Sequence, residues 1–149
     1  MRPPESSAQT AALYQEMILD HYRRPRNKGT LESPDAVAEM KNPLCGDEIV
    51  LEVAFDGDGV ADLRFSGKGC SISQASASMM TQLVKGKSAA EIGLLRTRFR
   101  DLMLGDLSAV DDATLGSLRS LSGVARYPAR VKCALLAWNA LESAMSRRG

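Results

Sequence analysis

The sequence predicts one mixed domain in which a small antiparallel sheet is combined with amphipathic helices. Three observations predict it. Two stretches of alternating residues are joined by Asp56-Gly57-Asp58-Gly59, several other segments place apolar residues at helical spacing, and no repeat or composition break divides the 149 residues. With 44% hydrophobic residues the chain is long enough to bury a full core.

Residues 1–9 are polar and contain Pro3 and Pro4, so they read as a flexible tail, with one domain over 10–149. Over 10–24, Leu13, Met17, Ile18 and Tyr22 recur at helical spacing, and Pro25 stops that helix before a basic turn over 23–29. Residues 37–41 form a strand candidate leading into Asn42-Pro43-Leu44-Cys45-Gly46. A hairpin follows. Ile49, Leu51, Val53 and Phe55 alternate with Val50, Glu52 and Ala54, and the return strand alternates from Val60 to Ser66. Its open ends bring the segments around Cys45 and Cys70 together.

From Cys70 to Lys85 the chain is rich in Ser, Ala and Met, which suits a helix packed tightly on a sheet. Met79 and Met80 read as core. Ser71, Ser73 and Ser76 read as ordinary capping residues, with a thiolate-facing role as the alternative. Further helices are expected over 88–104 and 111–121, with Asp111 and Asp112 at the positive end of the latter. A loop is expected over 122–128, and a last helix carries Val131, Leu135, Leu136, Trp138 and Leu141.

A net charge of +1 and a pI near 7.7 give no broad electrostatic case for nucleic acid or an anionic membrane. No run reaches the roughly 18–20 apolar residues of a transmembrane helix, and the first residues lack a secretory pattern, so a cytoplasmic location is expected. The odd cysteine count argues against a disulfide framework.

Cys45, Cys70 and Cys133 are the candidate chemistry. Gly46 between Cys45 and Asp47 lets a thiol and a carboxylate turn toward one ion. Three thiols and Asp47 make four donors, the number a tetrahedral zinc or an iron centre takes. Isolated cysteines are equally at home as small buried hydrophobes, and spacing without a CxxC pair leaves these readings level. Lys132 and Arg130 are candidates to offset the negative charge, or are simply a solvated basic face. His21, the one histidine, reads as a packed or surface residue rather than a ligand.

Three stretches together carry a specific resemblance: Asp20-His21-Tyr22-Arg23-Arg24-Pro25-Arg26-Asn27-Lys28-Gly29, Asn42-Pro43-Leu44-Cys45-Gly46-Asp47, and Gly67-Lys68-Gly69-Cys70-Ser71-Ile72-Ser73-Gln74-Ala75-Ser76. Over about 10–147 the chain resembles the NifU/IscU-type iron–sulfur cluster assembly family. Two features resemble its SufU-type branch. Lys132 stands where IscU-type proteins have a histidine, and extra residues over roughly 105–124 separate the second and third cysteine motifs. The resemblance implies an α+β fold, with a small three-stranded antiparallel sheet packed on one face by helices and a long C-terminal helix. It implies zinc held by Cys45, Asp47, Cys70 and Cys133, with Cys45 accepting sulfur and Arg130 assisting engagement of the donor.

The implied partners are a SufS-type, pyridoxal-phosphate cysteine desulfurase and downstream SUF assembly components. A desulfurase histidine is implied to take the coordination position that Cys45 vacates. Two alternatives remain at this point: a scaffold carrying a transient iron–sulfur cluster, and a non-catalytic interaction domain stapled by zinc.

Overall fold

Alternating residues bury one face of a three-stranded antiparallel sheet, ordered β1-β2-β3: β1 Ala36–Asn42, β2 Asp47–Asp56 and β3 Gly59–Lys68. The computed structural model describes residues 3–44 and 46–147. In β2, Asp47, Ile49, Leu51 and Val53 are buried while Glu48, Val50, Glu52 and Ala54 are partly exposed, the period of two that a half-covered sheet requires. The register runs Asn42↔Asp47 and Ala36↔Val53 for β1–β2, and Glu48↔Lys68 and Leu51↔Phe65 for β2–β3.

The buried face is covered by α2 Ser71–Val84 and α5 Pro128–Met145. Ala75, Ala77, Met79 and Met80 of α2 and Ala134, Ala137, Trp138 and Leu141 of α5 are buried there, so the methionines are core, as the sequence predicts. Small side chains let α2 approach α5 closely enough for Ser76 Oγ to donate to Ala134 O at 2.7 Å. Trp138 stacks on Phe99 of α3 Ala89–Met103 with ring centroids 5.6 Å apart. Ser88 caps α3 with a reciprocal Ser88–Glu91 box.

The free edge of β3 is not left open. Phe65 N–H donates to Asn27 O at 3.0 Å and Gly29 N–H to Phe65 O at 2.8 Å, so the turn after α1 Pro3–Arg23 pairs with that edge. The same turn is pinned to α2, because Arg26 N–H donates to Ser78 Oγ and Asn27 Nδ2 to Thr81 Oγ1.

α1 begins at Pro3, so it occupies residues where the sequence reading expected a polar tail through residue 9. Proline is tolerated in a first helical turn, whose N–H groups have no intrahelical acceptor. The buried side of α1 also differs from the predicted stripe. Leu13 and Tyr22 are exposed, whereas Ile18 packs on the core and His21 is buried. A hydrogen bond of 2.8 Å between His21 Nδ1 and Ser78 Oγ draws that side of the helix inward.

Between α3 and α5 lie α4 Leu107–Val110 and a 3₁₀ segment, Ala113–Arg126, interrupted at Gly116. The sequence reading expected an α-helix over 111–121 and then a loop. Leu115, Leu118, Leu121 and Val124 are buried and spaced by three, which makes one straight stripe at three residues per turn but not at 3.6. Asp112, its N-cap, accepts from Thr114 N–H at 3.0 Å, and its other oxygen accepts from Arg98 Nε at 2.8 Å. The Thr114 and Arg98 hydrogen bonds hold its carboxyl at a pKa of about 2.

His21 gives this fold a pH dependence. Burial, reinforced by the Arg26 cation, lowers its pKa to about 4, against the opposing pull of Asp20. Between pH 6.5 and 4 the unfolded chain therefore binds a proton that the folded chain refuses, and stability falls as pH falls through that window. The expected loss between pH 6.5 and 5 is about 2 kcal/mol from this group. Urea unfolding of metal-free parent and His21→Gln at both pH values checks it. The variant is expected to show a flatter dependence, and parallel curves would contradict the assignment.

Candidate metal centre

Three segments distant in sequence deliver donors to one end of the sheet. Asp47 opens β2, Cys70 is the N-cap of α2, and Cys133 lies in the second turn of α5. Their ligand atoms all lie within 4.8 Å of one another. Asp47 and Cys133 are each 1% exposed and Cys70 is half-buried. Cys45, the remaining ligand expected from the sequence, lies outside the described residues.

The β2–β3 pairing sets the first two positions. Glu48 faces Lys68, so Asp47 and the chain leaving β3 meet at the open end of the hairpin. Asp47 Oδ1 accepts the Cys70 N–H at 2.9 Å, and Oδ2 lies 3.9 Å from Cys70 Sγ. One carboxylate oxygen is therefore held by backbone while the other faces a sulfur. Gly69 leaves room for this, since a Cβ there would lie 2.3 Å from Asp47 Oδ1 and 2.7 Å from Ser73 Oγ. Packing of α5 on β1 and β2 brings in Cys133, whose Sγ lies 3.6 Å from Ala129 O and 3.8 Å from Asn42 Nδ2.

The donors fit a tetrahedral ion. Zinc–sulfur bonds of about 2.3 Å put ligand atoms roughly 3.5–3.8 Å apart, so small side-chain rotations close the observed spacing. Two soft thiols and a carboxylate, mostly buried, are a donor set that suits zinc.

Other sequence expectations land differently. Arg130 and Lys132 are exposed in the first turns of α5. The mouth beside the donors, about 330 Å³, is lined instead by Lys41, Asn42, Pro43, Gly46, Asp47, Glu48 and Lys68. Lys41 and Lys68 each pair with Glu48, at 3.5 and 3.8 Å. Ser73 and Ser76 are not N-caps, because Cys70 occupies that position. Ser73 Oγ donates to Cys70 O at 3.1 Å, and Ser76 serves the α2–α5 contact. Sequence reasoning missed Asn42, Lys41 and Lys68, which become neighbours of the centre through the β1–β2 and β2–β3 registers.

The model of the NifU-like N-terminal domain matches residues 13–147. The chain belongs to that family. Over 141 residues this NifU-like domain is 47% identical to the zinc-dependent sulfurtransferase SufU of Bacillus subtilis (strain 168), with 95% of each chain covered. It is 44% identical over 135 residues to the iron–sulfur cluster assembly scaffold protein IscU of Streptococcus pyogenes serotype M1, covering 91% of this chain and 84% of the relative. Among solved structures it is similar to a putative iron–sulfur cluster assembly scaffold protein for the SUF system from Fervidobacterium islandicum AW-1. That match has a TM-score of 0.81 and 39% identity and covers 87% of this chain and 94% of the other. The α+β architecture, the three-stranded sheet and the long C-terminal helix are those the family resemblance implies. Among the described residues of this NifU-like chain, no helix is long and apolar enough to cross a membrane.

Proposed function

We propose that this chain is a zinc-dependent sulfur acceptor in iron–sulfur cluster assembly, working in the cytoplasm with a SufS-type cysteine desulfurase and passing sulfur to downstream SUF components. The observation that carries the reading is the convergence of Asp47, Cys70 and Cys133 from three separate elements on one buried point. Cys45 is the proposed fourth ligand and the acceptor, on its place two residues before Asp47 in the shared motif. Zinc, when bound by these four residues, keeps thiols deprotonated at neutral pH without redox chemistry of its own.

The residues divide the work. Asp47 spends one carboxylate oxygen on the Cys70 N–H and keeps the other for the centre. Cys133, on the buried side of α5, is the inward anchor, and Cys70 sits nearer solvent. The Cys45 thiolate attacks the outer sulfur of the donor's persulfide. A new S–S bond forms on Cys45, the donor's S–S bond breaks, and the donor cysteine leaves as a thiolate, so no net oxidation or reduction occurs. Exposed Arg130, in the first turn of α5, is proposed to meet the desulfurase.

A second reading, a scaffold on which a cluster is assembled, is favoured by the scaffold names of relatives such as the Streptococcus pyogenes protein. The two separate in one experiment. Chain purified in air is assayed for zinc, iron and sulfide, then incubated with a desulfurase and cysteine. Colourless protein with stoichiometric zinc and a persulfide on Cys45 supports sulfur transfer. Brown, sulfide-containing protein without that persulfide supports the scaffold.

A further inference from the structure

The last residue of β1, Asn42, pairs with the first residue of β2, Asp47. That register sets the Asn42 side chain at the sheet end where the donors converge, and it is 8% exposed. Its Nδ2 approaches Cys133 Sγ at 3.8 Å. We propose that Asn42 is a positioning residue, whose amide donates an N–H···S bond to Cys133 Sγ and holds that sulfur as the retained ligand while transfer proceeds at another cysteine. The inference rests on the sulfur-transfer reading above and adds a division of labour among the sulfurs.

A metal-bound thiolate has no proton and is purely an acceptor, so the amide nitrogen rather than the amide oxygen is the matching partner. Hydrogen bonds to an ionised acceptor are the stronger kind, and an amide provides one without carrying a charge that salt would screen. Ala129 O, 3.6 Å from the same sulfur, accepts from a thiol but has nothing to accept from a thiolate. Asn42 is thus the better matched of these two groups once the centre is loaded.

Cys70 is placed in the opposite way. It is half-buried, and the side-chain group facing its sulfur at 3.9 Å is the acceptor Asp47 Oδ2. Cys133 Sγ is therefore the more buried sulfur and has an amide donor beside it, whereas Cys70 Sγ is partly exposed and faces the Asp47 carboxylate. The sequence pointed to Lys132 and Arg130 as groups to offset thiolate charge, but both are exposed, whereas Asn42 is buried against the sulfur.

The test titrates parent, Asn42→Ala and Asn42→Asp full chains with zinc against a chromogenic chelator, and separately with cobalt(II). Asn42→Ala is expected to weaken zinc binding by roughly 10–100-fold, as loss of an outer partner of a ligand does. Asn42→Asp, equal in size but lacking the donor, is expected to weaken it at least as much. The sulfur-to-cobalt charge-transfer band is expected to move to lower energy in Asn42→Ala, because a thiolate without its N–H bond is a better electron donor. The metal-free melting temperature of Asn42→Ala is expected to match the parent.

Affinity and band both indistinguishable from the parent would overturn the proposal. So would weaker binding with an unmoved band and a lowered metal-free melting temperature, which would make Asn42 merely structural. A parent chain that binds no zinc would remove the sulfur-transfer reading as well, and the parent titration alone tells these failures apart.

Discussion

Cys45→Ala is expected to reduce desulfurase turnover to its unstimulated rate and to leave no trappable persulfide on the chain. Of the remaining cysteines, Cys133 lies in the second turn of α5 with only 1% of its surface exposed, so a bulky donor persulfide has little access to its sulfur. Cys70 is half-buried, and the Asp47 carboxylate beside its sulfur opposes the approach of a second anionic sulfur. Alkylation after incubation with desulfurase and cysteine, followed by peptide mass mapping, checks this. Full stimulation by Cys45→Ala, or a persulfide mapped to Cys70 or Cys133, would contradict it.

Gly67→Ala is expected to cost about 3 kcal/mol or more in stability and to loosen the centre together with the sheet. Gly67 has φ +117 and pairs with Ile49. A Cβ there would lie 2.1 Å from Glu48 O and 2.8 Å from Glu48 C, backbone atoms that cannot rotate away. Relief requires β2 and β3 to separate beside Asp47. In a chain of this size the melting temperature should fall by roughly 6–12 °C. Zinc affinity should fall with it. Gly57→Ala is the control, because Gly57 also has positive φ but its Cβ would meet open space. Equal melting temperatures for the two variants would show that the Glu48 clash is relieved locally.

Much of this architecture was legible in the sequence for simple reasons. The hairpin could be read because its alternation matches a sheet with one covered face, and its turn residues lie between the two stretches. The helix start at Cys70 follows from the glycine turn before it, whereas Pro128, expected as the last residue of a loop, is the first residue of α5, where its missing N–H costs nothing. The segment between α3 and α5 was not legible as a 3₁₀ stretch. Its leucines at 115, 118 and 121 fit either helical period over so short a span, and burial against α1 and α3 decides between them. α1 misled in a related way, since its apolar residues outnumber the positions that face the core and His21 takes one of the buried places.

The site was legible as a set of residue types and not as a shell. Asp47 and Cys70 announce themselves as a carboxylate and a thiol beside glycines, and Cys133 as one of only three cysteines. Asn42 does not, because an asparagine before a proline reads as a turn residue until the register places it opposite Asp47. Serine favours helix starts, so Ser73 and Ser76 read as caps, but Ser73 bonds back to the local carbonyl Cys70 O and Ser76 to Ala134 O across the α2–α5 contact.

Zinc X-ray absorption on the loaded full chain tests the central claim most directly. It should show one equivalent of zinc with three sulfurs at about 2.3 Å and one oxygen at about 2.0 Å. Replacing Asp47 with alanine should remove or exchange the oxygen while the sulfurs stay. A first shell with one sulfur or none, or the same shell in a chain carrying both Cys70→Ser and Cys133→Ser, would contradict it.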